Sequence, residues 1–162
     1  MGNLRRCDRG AAAVEFAIVV PLLCLLIFGI VAYGMMLSFR QNLSQAAAEG
    51  ARAAAVAPKS PPNPSYGPTA QAAAAIANAL GSDYSCSNGN LFKGTTQVGG
   101  CTISPSSACT AASTPDPPTS AAPCTYTVTL SYDYKSHPAI PNPPLVPIPG
   151  VITYVSAAQG NS

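Results

Sequence analysis

Apolar positions along the 162-residue chain fall into three regimes: one long unbroken run near the N-terminus, an alanine-rich helical stretch after it, and short alternating runs further on. Between Glu15 and Arg40 there is no charged residue, and Phe16 to Phe39 is mostly Leu, Ile, Val, Ala, Met and Phe with a few Gly. A spanning helix needs roughly 20 such residues, whereas the apolar core of a cleavable secretory signal runs to about 7 to 15. Length therefore favours a transmembrane anchor over about 16–39 rather than a signal cut near Ala46 to Ala48 or Ala53 to Ala55. From Ala11 the helical pattern carries on past the membrane through Gln41 to Val56, rich in alanine, the strongest helix former, until Pro58 stops it. One helix of about 45 residues follows, about 70 Å long at about 1.5 Å per residue. Pro21 inside it predicts a local bend.

Lys59 to Thr69 carries Pro61, Pro62, Pro64 and Pro68 among Ser, Asn and Gly, the composition of an extended linker. Ala70 to Leu80 is again helix-like, with Ile76 and Leu80 on one face and Gly81 placed to cap it. Beyond it the period becomes two. Within Thr95 to Ser104, Gly99-Gly100 predicts a tight hairpin turn with Cys101 opening the return strand. Pro105 to Pro123 shows no periodicity and reads as a loop. Tyr126, Val128, Leu130, Tyr132 and Tyr134 then alternate with Thr, Ser and Asp, predicting a strand with one buried face, expected to pack on the 70–80 helix rather than to form a ligand platform. Pro138 to Pro149 reads as a proline-rich loop and Val151 to Val155 as a last strand. The fold class is α+β: a long N-terminal transmembrane helix extending into a small extracytoplasmic domain with a short helix and a small antiparallel sheet. The expected division is a basic leader over 1–10, the long helix over 11–57, a linker over 58–69 and the α+β domain over 70–162.

Charge orients this arrangement. Arg5, Arg6 and Arg9 precede the apolar run against a single Asp8, while Arg40 and Arg52 beyond it are offset by Glu49, so the positive-inside rule places the N-terminus in the cytoplasm. The net charge of +2 and charged fraction of 9% leave no field that would gather nucleic acid. Glu49 and Arg52, three apart, are spaced to pair along the helix. The cysteines agree with the orientation. Cys7 falls on the cytoplasmic side and Cys24 in the membrane, leaving Cys86, Cys101, Cys109 and Cys124 in a compartment where disulfides persist, with three connectivities open. No C-x-x-C pair occurs and the one histidine is the distant His137, so neither zinc nor another cofactor is expected. Asp83, Asp116, Asp133, Glu49 and His137 form no G-x-S-x-G or H-E-x-x-H motif, so the chain does not read as an enzyme.

Two local arrangements carry chemistry. A carboxylate at the membrane edge, Glu15, costs several kcal/mol if ionised and unpaired at depth, on the order of other buried charges, and asks for a partner. A new amino group on Ala11, made by cleavage after Gly10, would provide one. In a staggered array of parallel helices, Glu15 of one subunit could then meet the ammonium of its neighbour and set the register. Second, Ala46, Gly50 and Ala54 recur every fourth residue, as do Ala47, Ala51 and Ala55, a stripe on which another helix can approach closely.

The string Arg9-Gly10-Ala11-Ala12-Ala13-Val14-Glu15-Phe16-Ala17, then Val20-Pro21-Leu22-Leu23 and Gln45 to Arg52, resembles the TadE-like family of minor pseudopilins of the tight-adherence apparatus, which builds Flp-type type IVb pili in bacteria and archaea. The resemblance implies cleavage by a prepilin peptidase between Gly10 and Ala11, subunit registration by Glu15, and other pilins or pseudopilins as partners. It covers about the first third of the chain. Major Flp pilins are much shorter and usually carry Glu-Tyr where this chain has Glu15-Phe16, and TadG-like proteins are far longer, so the minor role fits best. It further implies a cytoplasmic (inner) membrane protein, processed in place. The alternative is a generic single-pass envelope protein whose extracytoplasmic domain binds something else.

Overall fold

A computed structural model of the chain describes residues 8–58, 62–106, 109, 124–138 and 150–160. Helix α1 runs from Asp8 to Val56, passing through Pro21 without a break in its assignment. A single 3-10 turn, Pro64–Tyr66, is capped by the Asn63 side chain, which accepts from the Ser65 N–H. Helix α2, Pro68–Leu80, begins on a proline, whose missing N–H would be unpaired in the first turn anyway, and ends at Gly81 with φ of 113°. Strands β1 (Tyr84–Ser87), β2 (Asn90–Lys93), β3 (Thr96–Pro105), β4 (Thr125–Asp133) and β5 (Val151–Gln159) form one antiparallel sheet in the order β1-β2-β3-β4-β5. The α+β class with a long apolar N-terminal helix is therefore the observed one.

The two helices run antiparallel. Ala72 shares a buried cluster with Ala54, and Ile76 lies against Gly50, so rising numbers on one helix meet falling numbers on the other. A Cβ on Gly50 would approach Ile76 Cγ1 to 2.7 Å. The small-residue stripe is thus occupied by the chain's own α2: Ala46, Gly50, Ala51 and Ala54 are buried there or against the sheet. The main core joins Leu43, Ala46, Ala47 and Ala51 of α1 and Ile76 of α2 to Leu91, Val98, Cys101, Val128, Leu130 and Tyr132 of the sheet. The upper half of α1 is accordingly part of the folded head as well as the continuation of the long apolar helix.

The β4 alternation is exact in burial, every second residue from Tyr126 to Tyr132 being buried. Its buried face packs mainly on α1 rather than on α2 as expected, with Phe39 stacked edge-on against Tyr132 at 4.7 Å between ring centres and tilted against Tyr134 at 6.1 Å. The longer helix covers this face because α2 leans toward β1.

The expected hairpin across Gly99-Gly100 does not form. Strand β3 runs straight through both glycines, and neither has a positive φ. The pair serves close approach: a Cβ on Gly99 would overlap the Ser131 carbonyl oxygen of β4. The turns lie elsewhere. Asn88 (φ 50°) and Gly89 (φ 80°) join β1 to β2, both in the left-handed region that suits a two-residue hairpin, and Gly94 (φ 59°) stands between β2 and β3. Strand β5 extends four residues beyond the expected Val155, to Gln159. The remaining loop expectations, over 110–123 and 139–149, lie outside the described residues, as do Lys59, Ser60 and Pro61 of the linker.

Candidate membrane and assembly interface

The lower half of α1 is apolar and bare. Phe16, Ile18, Leu22 and Phe28 are each about 70% exposed, and the apolar window of the helix buries nothing within the fold. In water such a surface would be costly, at roughly 25 cal/mol per Å² of apolar area. In a bilayer the same surface is matched by its solvent, and the backbone is satisfied internally by the helix. Among the described side chains of α1 the first buried one is Met36, and from there upward the head packs against it. Cys24 lies on the bare half as a free, exposed thiol.

Gly10 and Ala11 lie within the first turns of α1, which begins at Asp8, so the expected scissile bond is helical rather than ahead of the helix. A Cβ at Gly10 would meet nothing within 4 Å. Glu15 is exposed on the same helix, one turn further on, with no hydrogen-bond or ion-pair partner among the described residues. Glu49 and Arg52, spaced to pair, are both exposed and form no ion pair among the described residues.

Two disulfides staple the head. Cys86 of β1 is bonded to Cys101 of β3, with Cα atoms 5.8 Å apart, and Cys109 to Cys124, with Cα atoms 4.6 Å apart. Each joins residues 15 apart in sequence. The first ties the two strands that flank β2; the second closes the segment that follows β3 onto the start of β4.

Where the bare half of α1 meets the head, aromatic rings gather. Tyr132 donates to the His137 carbonyl oxygen at 2.9 Å, and burial, reinforced by the neighbouring Tyr84, Tyr134 and Asp133, pushes its phenol up to about 12. Burial raises Tyr134 as well. Asp133 is held below the usual carboxylate range by the Ser136 hydroxyl and N–H. Away from this junction, an open groove of about 500 Å³ lies between the first turn of α2 and the β1–β2 turn, lined by Thr69, Ala73, Asn88, Cys101 and Ile103 among others. Its lining carries no acid, base or free thiol. No group of three or more His, Cys, Asp or Glu side chains converges among the described residues.

Among the described residues the geometry thus defines a class, a head of two disulfides and five strands carried on one N-terminal helix long and apolar enough to cross a membrane. Within that class, residues 10–52 match the family model described as TadE-like protein, a family connected with the tight-adherence pilus apparatus and not known for catalysis. The matched segment ends in the upper half of α1 and contains Gly10, Glu15, the bare apolar face and the start of the small-residue stripe. No curated protein and no solved structure matches the chain.

Sequence reasoning missed β1, β2 and their turn. The signal was present as Asn88-Gly89, the strongest short-range hairpin pair, flanked by the short runs Tyr84–Ser87 and Asn90–Lys93.

Proposed function

We propose that the chain is a minor pseudopilin acting in assembly of a tight-adherence pilus, processed by a prepilin peptidase after Gly10 and held in the cytoplasmic (inner) membrane with its N-terminus inside. The observation that carries this reading is the exposed Glu15 at the foot of a bare apolar helix, inside the segment that matches the TadE-like family. Cleavage would remove the basic leader and leave an ammonium on Ala11. Glu15 of one subunit and that ammonium of a neighbour then neutralise each other at the membrane edge, where neither is well solvated. The apolar face holds the helix among lipids and other pilin helices, and the disulfide-stapled head meets further pilus components outside. Because Gly10 lies inside α1, the peptidase must unwind the first turn to reach the bond, and glycine, the least costly ordinary residue to remove from a helix after proline, eases that step.

Mass spectrometry of the protein from piliated cells tests the processing: a chain beginning at Ala11 is expected, and an intact Met1 or a start near Glu49 overturns the proposal. Glu15→Gln should leave membrane insertion unchanged while reducing piliation and co-purification with other pilus subunits. Unchanged piliation would make Glu15 an ordinary interfacial residue.

A further inference from the structure

The charged groups of the folded head are unevenly placed. The described head carries Arg40, Glu49, Arg52, Asp83, Lys93, Asp133 and Lys135. Strand β4 runs downward toward the span, since Tyr132 and Tyr134 touch Phe39 while Gly160, which donates its N–H to the Cys124 carbonyl ahead of β4, lies against Ala55. Register carries that direction across the sheet. Gly99 pairs with Tyr132 and Lys93 with Thr96, so the β2–β3 turn is at the lower end, and the Gly94 N–H bonds to the Asp83 carbonyl there. Lys135 follows β4 at the same end, its N–H donating to the Gly150 carbonyl at 3.2 Å.

Three of the four described head cations, Arg40, Lys93 and Lys135, therefore lie at the end facing the span, and Arg52 lies about 18 Å further up α1, at about 1.5 Å per residue. Lys93 and Lys135 are exposed. The carboxylates sharing this end are Asp83, exposed at the α2–β1 turn, and Asp133, already engaged by Ser136. His137, half-buried there, adds charge only when protonated. Arg40 is the first charge after the apolar run, and helical side chains lean toward the N-terminus, here toward the membrane. Its Nε is buried without a hydrogen-bond partner among the described residues. An uncharged run of about 36 Å slightly exceeds a hydrocarbon core of about 30 Å, which sets Arg40 in the headgroup layer.

We propose that this lower rim, Arg40 with Lys93 and Lys135, docks on the phosphates of anionic phospholipids and holds the head down on the bilayer surface. The proposal rests on the membrane reading above and adds a lipid partner to it. A head held this way presents its opposite end, around Thr125, Gln159 and Gly160, to other subunits in a fixed attitude.

The test uses the full chain with Cys7 and Cys24 replaced by Ser, reconstituted into vesicles of phosphatidylcholine alone or with phosphatidylglycerol. Thr95→Cys places a reporter thiol at the rim and Gln159→Cys one at the far end, both positions being exposed. Phosphatidylglycerol should slow reaction of the Thr95→Cys thiol with an uncharged maleimide at least about threefold, consistent with the surface attraction of a few cations, and leave the Gln159→Cys thiol unchanged. Salt at 1 M, where the screening length falls to about 3 Å, or the pair Lys93→Gln and Lys135→Gln, should restore the faster rate. Flotation with neutral vesicles after an alkaline wash separates the two claims. A protein that floats but labels at equal rates in both lipids overturns the rim proposal alone, whereas one that fails to float overturns the membrane reading beneath it.

Discussion

Gly99→Ala should be among the most damaging single-methyl changes in the head, and Gly100→Ala, one residue on, should be mild. A Cβ on Gly99 would overlap the Ser131 carbonyl oxygen and come within 2.8 Å of the Ser131 carbonyl carbon and 2.9 Å of Tyr132 Cα. All three obstacles are backbone, so relief requires β3 and β4 to part where they are hydrogen-bonded over seven paired residues from Gly99 to Pro105. Overpacking that moves backbone costs about 1–3 kcal/mol, and this case belongs at the upper end. A Cβ on Gly100 meets only Ser131 Oγ at 2.8 Å, a hydroxyl that can rotate away. The change there forfeits the bond from the Gly100 N–H to that oxygen, 2.9 Å long, worth about 0.5–1.5 kcal/mol, and regains about 0.5–1 kcal/mol from the stiffer unfolded chain. The two variants should therefore differ by about 2 kcal/mol, or on the order of 8–16 °C in Tm for a domain of this size. Thermal melts of the oxidised full chain in detergent, followed by near-ultraviolet circular dichroism, read this directly, because with no tryptophan the signal comes mainly from tyrosines such as Tyr132 and Tyr134. Equal melting of the two variants, or a Gly99→Ala protein within a few degrees of the parent, would refute the close-approach argument and return the glycine pair to a turn role.

Two further outcomes follow from the same head. Replacing Cys86 and Cys101 together by Ser should lower stability by about 3 kcal/mol, since a loop of 15 residues loses that much unfolded-state constraint, seen as a lower urea midpoint insensitive to added reductant at that bridge. Tyr132 keeps its proton to about pH 12 in the folded head, while an unfolded tyrosine releases it near 10. The unfolded state thus binds fewer protons than the native one between those values, so stability is level below about pH 10 and falls from there to about 12. Tyr132→Phe should remove that part of the alkaline loss and, at neutral pH, cost about 0.5–1.5 kcal/mol for the bond to the His137 carbonyl, as measured by denaturant melts across pH.

Much of the fold was legible along the chain because its strongest signals are local. An apolar run free of charge from Phe16 to Phe39 forms a helix whatever surrounds it, and alternation from Tyr126 to Tyr132 leaves a strand one buried face. Sequence and structure part where a local pattern has two physical uses. Gly-Gly serves a turn or a close strand contact equally, and only the presence of β4 behind Gly99 selects the second. The stripe Ala46, Gly50, Ala54 invites any helix, and whether that helix is a neighbour or α2 depends on the chain folding back through Pro64–Tyr66. The Asn88-Gly89 turn is hard to read along the chain because its flanking strands are four residues each, too short to show a period.

By itself the sequence determined the long apolar helix, the charges that flank it, the number of cysteines beyond it and the Gly10–Glu15 arrangement inside the segment that matches the TadE-like model, since each depends on residues near one another in the chain. Tertiary structure decided which cysteines bond, which face of β4 meets α1, and that Arg40, Lys93 and Lys135 share one end of the head. Those outcomes join residues tens of positions apart, and the distance between them is set by sheet order and register rather than by any local preference of the residues themselves.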